Sequence, residues 1–265
     1  MKSARSRILA LVLVLAMIFG TGCGTGASSG VASQSTASGS ASEANSESAP
    51  AEEGSRDVVV AMAQDVSSLY AYEKGSYTNN QVLWHPYEAL ISKNAEMEFI
   101  PLLAESWEMA DDNLTWTFHL REGVKFHNGD IMTVDFTAED VVASYDKASV
   151  AGESLFVEKL AYVDSYEAVD DYTFVVKTKM PYPLLLDDLM FVVITNKEDV
   201  EGKAPQEIAA NINGTGRYKF VEWVPEDHID FTVNENYWGE QPEVKNVRFR
   251  PITNVATRTA ALLSG

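Results

Sequence analysis

Leu114-Thr115-Trp116-Thr117-Phe118-His119-Leu120 alternates large apolar side chains with polar ones, and Asp111-Asp112-Asn113 precedes it. A period of two places Leu114, Trp116, Phe118 and Leu120 on one face of a half-buried β-strand. The acidic and amide residues before it supply a turn, and Gly123 and Asn128-Gly129 mark turns after it. Outward from this strand, residues 162–177 read as a second hairpin that turns at Asp170-Asp171, with Tyr172, Phe174 and Val176 on one face. A third hairpin is expected from Arg217 through Pro225-Glu226-Asp227 to Val233.

Helices are fewer. Residues 138–148 carry the stripe Val141, Val142 and Tyr145, with Thr137 able to cap and Asp140 three residues later beside the positive helix end. A second helix is expected over residues 79–91, bent or divided by Pro86, which lacks an amide proton. A last one is expected over residues 255–263, with Gly265 placed to terminate it.

The beginning of the chain has a different character. Lys2, Arg5 and Arg7 precede an apolar run from Ile8 to Phe19, then Gly20-Thr21-Gly22 and Cys23. That order makes residues 1–22 a secretory signal peptide, because twelve apolar residues fall short of the roughly 20 a spanning helix needs. Cys23 is the only cysteine and has no disulfide partner within the chain. Of the 33 residues from Gly24 to Arg56, 22 are Ser, Ala or Gly, too little apolar surface to offset ordering entropy. Residues 23–56 therefore read as a disordered tether with an end-to-end distance of about 30 Å. At Asp57 the composition changes abruptly to Val58-Val59-Val60-Ala61-Met62, and 209 residues remain for a folded core.

Three further segments join the opening strand in one pattern. Pro101-Leu102-Leu103-Ala104-Glu105-Ser106-Trp107-Glu108 leads into it, and Gly123-Val124-Lys125-Phe126-His127-Asn128-Gly129 and Thr137-Ala138-Glu139-Asp140-Val141-Val142 follow. Gly214-Thr215-Gly216-Arg217-Tyr218-Lys219-Phe220 and Asn234-Glu235-Asn236-Tyr237-Trp238-Gly239 come later in matching order. Over residues 57–265 the chain resembles the large extracellular solute-binding proteins for oligopeptides, dipeptides and nickel. It departs from them at Arg217 and Ala89, where Pro is usual, and at Tyr70-Ala71, where Asp-Pro is usual.

The resemblance implies an α/β fold of the type II periplasmic-binding-protein class. Residues 57–265 would form the N-terminal lobe, a mixed sheet built from the first strand and the residues after Asn213, with a β-rich subdomain inserted over about 93–205. The second lobe would be missing, so that the chain stops mid-fold and residues 57–265 alone bind solute weakly. Cys23 resembles the lipidated cysteine of bacterial lipoproteins, the alternative being an incidental free thiol. Buried methylenes add about 0.8 kcal/mol each, and two chains anchor stably where one is marginal. The implied place is extracytoplasmic, lipid-anchored to the bacterial cell membrane.

The implied function is capture of oligo- or dipeptides for an ABC importer whose permease subunits are partners. Nickel-chelate or oligosaccharide binding on the same fold is the alternative, and a secreted adhesive or enzymatic lipoprotein stands behind both. Ligand-contacting residues are expected by resemblance at Tyr77, Asn79 and Asn80, at Phe156, and at Met190 and Phe191. Phe156 could equally be core and Asn79 a helix cap. Trp107, Trp116 and Trp238 read as packing residues. Gly214-Thr215-Gly216 lacks any phosphate-loop continuation and reads as structural.

Catalysis finds no support in the residues. Gly-x-Ser-x-Gly and His-Glu-x-x-His are absent, and His85, His119, His127 and His228 are scattered without metal-ligand spacing. No cofactor or metal is implied. Removing the leader leaves 17 Lys and Arg against 39 Asp and Glu, a formal charge of −22 that argues against nucleic acid as a partner.

Overall fold

The alternating stretch forms a strand at Thr115–Leu120 in a computed structural model that describes residues 56–73, 77–128 and 135–264. The elements run β1 (Arg56–Met62), α1 (Tyr77–Leu83), β2 (Ile91–Lys93), β3 (Phe99–Pro101), β4 (Ala104–Met109), β5 (Thr115–Leu120) and α2 (Ala138–Ala148). A 3-10 turn at Leu155–Glu158 precedes β6 (Val163–Asp170), β7 (Thr173–Thr178), α3 (Leu185–Leu189), α4 (Lys197–Val200) and α5 (Pro205–Ala209). The chain closes with β8 (Tyr218–Val224), β9 (His228–Val233), β10 (Val244–Pro251) and α6 (Val255–Ser264). The expected leader, Cys23 and the tether lie outside the described residues, as does Gly265. Among the described residues no helix is long and apolar enough to cross a membrane.

Two four-stranded sheets organise these elements. The first has the order β1-β10-β9-β8, with β1 parallel to β10 and the remaining pairs antiparallel. This mixed sheet joins the first strand to strands that follow Asn213. The second, β4-β5-β7-β6, is wholly antiparallel and lies between residues 104 and 178. Its buried face carries Phe118, Phe174 and Val176, all at 0% exposure. Each such side chain contributes roughly 1.5–3 kcal/mol of transfer free energy.

Helix α2 covers that face. Tyr145 meets Phe174 edge-on at 5.2 Å between centroids and Tyr166 at 5.5 Å. The helix starts where its sequence signals it should. Asp140 accepts from the Thr137 backbone N–H at 2.9 Å and from the Thr137 hydroxyl at 3.2 Å. These bonds satisfy a helix entry that would otherwise leave donors unpaired.

The helix expected over 79–91 is shorter and begins earlier, at Tyr77–Leu83, and Ile91 belongs to β2. Pro86 offers no amide proton and its ring disfavours helical geometry at His85. The carbonyls released there take other donors: Gly216 N–H reaches Pro86 O at 2.9 Å and Tyr218 N–H reaches His85 O at 3.3 Å. That contact explains the glycines. A Cβ on Gly214 would stand 1.8 Å from Pro86 O, and one on Gly216 would stand 2.4 Å from His85 O. Gly214-Thr215-Gly216 is therefore a close-approach segment that locks the first sheet to the chain after α1.

Candidate ligand-binding face

Side-chain hydrogen bonds hold the loop from Met62 to Glu73 against the start of α1. Asn79, almost fully buried, accepts from the Ser67 N–H at 3.0 Å and donates to Glu73 Oε2 at 2.9 Å. Beside it, Gln64 donates to the Thr78 hydroxyl at 3.0 Å. Asn79 thus sits within the first turn of α1 and clamps the preceding loop. Asn80 is buried in the same turn, and its carbonyl accepts from Trp84 N–H at 3.0 Å. The side chain of Tyr77 lies outside the described residues.

Phe156 joins the same loop from the other side. It is 2% exposed, its N–H donates to Ser154 Oγ at 2.9 Å, and its ring meets Tyr72 edge-on at 6.3 Å. Leu155 N–H reaches Tyr72 O at 3.0 Å, and Glu73 forms a bridge with Ser154. A cavity of about 700 Å³ borders this junction, lined among others by Ser67, Tyr70, Glu73, Glu153, Gln206 and Trp223.

Two of its lining residues carry buried donors without a partner, the Tyr70 hydroxyl and Trp223 Nε1. Burial, then the nearby Glu153 carboxylate, pushes the Tyr70 hydroxyl up to about 12, so it is a neutral donor at any physiological pH. Unsatisfied buried donors are rare enough to mark a place where an ordered water or a ligand atom completes the bonding. The wall of the cavity therefore encloses two unpaired hydrogen-bond donors, closed off from solvent, near two carboxylates.

Met190 and Phe191 stand elsewhere on the surface. Phe191 packs against Trp84 at 6.0 Å between centroids, and the Lys159 ammonium lies 4.8 Å over its ring. Lys159 directly follows the 3-10 turn and also pairs with Asp188 at 2.8 Å. Met190 instead lines a separate cavity of about 450 Å³ with Trp84, Ile91, Leu102, Arg217 and Tyr237. Asn79 and Phe156 are thus brought together around residues 67–73, with Asn80 beside Asn79 in the same turn. Phe191 connects to them through Trp84 and Lys159, whereas Met190 belongs to the second cavity.

That second cavity is bounded by Glu88, a buried carboxylate. Its oxygens accept from the Thr215 hydroxyl at 2.9 Å, Trp238 Nε1 at 2.9 Å and the Tyr237 hydroxyl at 2.8 Å. Burial holds its pKa above the ordinary glutamate value even though all three donors oppose the shift. Arg121 stacks over Trp238 at 4.0 Å, which fixes the indole from the outside. Trp238 is therefore a packing and bonding residue. His127 is structural too: its Nε2 bonds the Gly216 carbonyl at 2.8 Å, and burial lowers its pKa to about 4, keeping the ring neutral.

Sequence reasoning missed Tyr70, Glu88 and Trp223. Tyr70 had one signal, the departure from Asp-Pro at Tyr70-Ala71. Trp223 had none, because in a strand it reads like any other aromatic. The arrangement as a whole provides aromatic walls, fixed amides and buried donors, which suit reversible binding.

Comparison with known proteins places these features in context. A family model described as bacterial extracellular solute-binding proteins, family 5 Middle, matches residues 98–265. The glutathione-binding protein GsiB of Pectobacterium atrosepticum is 29% identical over 214 residues, covering 80% of this chain and 41% of that protein. Among solved structures, the periplasmic binding protein DppA from Helicobacter pylori in complex with the peptide STSA is similar, with TM-score 0.72 and 29% identity. It covers 79% of this chain and 45% of its own. NikA from Brucella suis in complex with Fe(III)-EDTA gives TM-score 0.69 at 28% identity, covering 79% of this chain and 42% of its own. The chain spans about two fifths of the length of the curated relatives it matches.

Proposed function

Because this chain belongs to the bacterial extracellular solute-binding proteins of family 5, we propose that it captures short peptides outside the cytoplasm and delivers them to an ABC importer. The observation that carries the reading is the cavity beside residues 67–73, where the buried donors of Tyr70 and Trp223 stand unpaired next to Glu73 and Glu153. A peptide presents an amine to such carboxylates, and its carbonyl oxygens would pair with these donors once side chains of the wall shift to uncover them. The likeness to DppA, whose structure holds the peptide STSA, supports the same class of ligand.

Tyr77, Asn79, Asn80 and Phe156 would shape this face, Asn79 and Phe156 by holding the loop, while Met190 and Phe191 would meet ligand at the second cavity beside the exposed Trp84. Residues of about 93–205 would form a subdomain inserted between the parts of the mixed sheet. The chain would act as a receptor without enzymatic activity. The leader of residues 1–22 would direct export, and lipidated Cys23 with a tether to residue 56 would hold the folded part near the membrane, where permease subunits meet it. The likeness to NikA, solved with a metal chelate, supports the alternative of a nickel-chelate receptor.

Mass spectrometry of small molecules released from the protein purified out of its native host separates these readings. A mixture of short peptides is the expected result. A bound metal chelate would replace the peptide reading with the alternative. Replacing Cys23 with Ser should abolish incorporation of labelled fatty acid and release the protein from membranes; continued labelling would refute the anchor.

A further inference from the structure

The β8–β9 hairpin carries a group of side chains that neither cavity uses. On β9 burial alternates, so His228 and Asp230 share the outward face while Ile229 and Phe231 enter the core. Glu222 of β8 stands directly opposite Asp230 in the antiparallel register. The pairing brings two carboxylates to one place on the surface, where Arg248 offsets the charge of Asp230 and that of Glu222 stands opposite.

The imidazole of His228 is aimed at that gap. Its Nδ1 lies 2.9 Å from Asp227 Oδ2, and its Nε2 lies 3.3 Å from Glu222 Oε1 and 3.7 Å from Asp230 Oδ2. A carboxylate on one ring nitrogen fixes the tautomer and presents the other nitrogen for coordination, the usual outer support of a metal-bound histidine. One atom each from Glu222, His228 and Asp230 lies within 4.8 Å of the other two. Atoms bound to one ion at about 2.0–2.2 Å lie at most about 4.4 Å apart, so a small rotation of the exposed Glu222 side chain closes the set. Arg248 donates to both oxygens of Asp230 at 2.7 and 2.6 Å, yet a carboxylate offers about four lone-pair positions and keeps a free one on each oxygen.

We propose that Glu222, His228 and Asp230 form a surface site for a divalent first-row transition-metal ion, with Asp227 as the positioning residue that orients the imidazole. One imidazole nitrogen and two carboxylate oxygens suit zinc, nickel or copper better than calcium or magnesium, which prefer all-oxygen shells. Water completes the coordination on the open side. The site stands on the hairpin surface and does not depend on the identity of any captured solute.

Isothermal titration calorimetry with zinc chloride on the untagged full chain, stripped of metal by chelator, tests the proposal. One saturable ion per chain is expected. His228→Ala should weaken it at least 100-fold, Glu222→Gln should weaken it strongly, and Asp227→Asn about 10–100-fold. His119→Ala, on a different sheet, should leave it unchanged. Circular dichroism melts of each variant confirm that the fold is kept. Absence of saturable zinc binding overturns the proposal, as does binding that persists in both the His228→Ala and Glu222→Gln variants.

Discussion

Replacing Glu88 with Ala leaves the Thr215 and Tyr237 hydroxyls and the Trp238 indole N–H without their common acceptor. Thr215 and Tyr237 are both buried, and an orphaned buried donor costs about 1–3 kcal/mol. The lost side chain adds a cavity term of similar kind. Against these stands the relief of a carboxylate that burial already disfavours. The net expectation is a loss of about 2–4 kcal/mol, a large part of the roughly 5–15 kcal/mol that holds a typical domain.

Glu88→Gln keeps the shape and one acceptor oxygen, so its loss should be about 1 kcal/mol or less. The pair also tests the charge. Because the folded pKa of Glu88 is raised, the folded state retains a proton that the unfolded state has released above the ordinary glutamate value. Its contribution to stability is therefore full at low pH and falls as pH rises through that interval. The Gln variant lacks this dependence, so its stability relative to the parent should improve as pH rises from about 4.3 upward. Urea unfolding followed by tryptophan fluorescence, from pH 4 to 8, reads both effects. Equal destabilisation by Ala and Gln, or an Ala variant within about 1 kcal/mol of the parent, would refute the reasoning.

Gly214→Ala should destabilise by about 3 kcal/mol or more, since its Cβ would fall 1.8 Å from Pro86 O; an unchanged thermal midpoint would contradict the close approach. His127 should stay neutral in nitrogen-detected NMR until near pH 4. Its folded pKa is depressed, so its share of stability, on the order of 3 kcal/mol, is full above about 6.5 and is lost as pH falls toward 4. Titration near 6.5 in the folded protein would show that it is solvated. Tyr70→Phe removes an unpaired buried hydroxyl and should leave stability unchanged or raise it by about 1 kcal/mol. If that hydroxyl receives a peptide carbonyl, calorimetry should show roughly tenfold weaker peptide binding in the same variant. A clear loss of stability instead would mean the hydroxyl has a partner within the fold.

Much of this architecture was legible along the chain. The alternation at Leu114–Leu120, the turns at Asp170-Asp171 and Pro225-Glu226-Asp227, and helix α2 behind Thr137 and Asp140 all depend on neighbours a few residues apart. Such features are set by local backbone preference and by the period of apolar side chains, and both are written in order. The helix placed over residues 79–91 failed for the opposite reason. Pro86 ended the helix where it could have bent it, and the carbonyls of Pro86 and His85 took the amides of Gly216 and Tyr218, about 130 residues away.

The binding face shows the same division. Asn79 and Phe156 were expected at the candidate face by resemblance, but their places as clamp and packing block follow from Ser67, Glu73 and Tyr72, which fold against them. Tyr70 and Trp223 lie 153 positions apart and meet only at a cavity wall. Glu88 acquires three donors from a segment that begins at Thr215. By itself the sequence determined strand faces, turns and the start of α2, because these rest on short-range sterics and periodicity, and its motifs carried the resemblance to the family. Which polar groups become buried, paired or left waiting for a partner was decided only when distant segments closed on one another and excluded water.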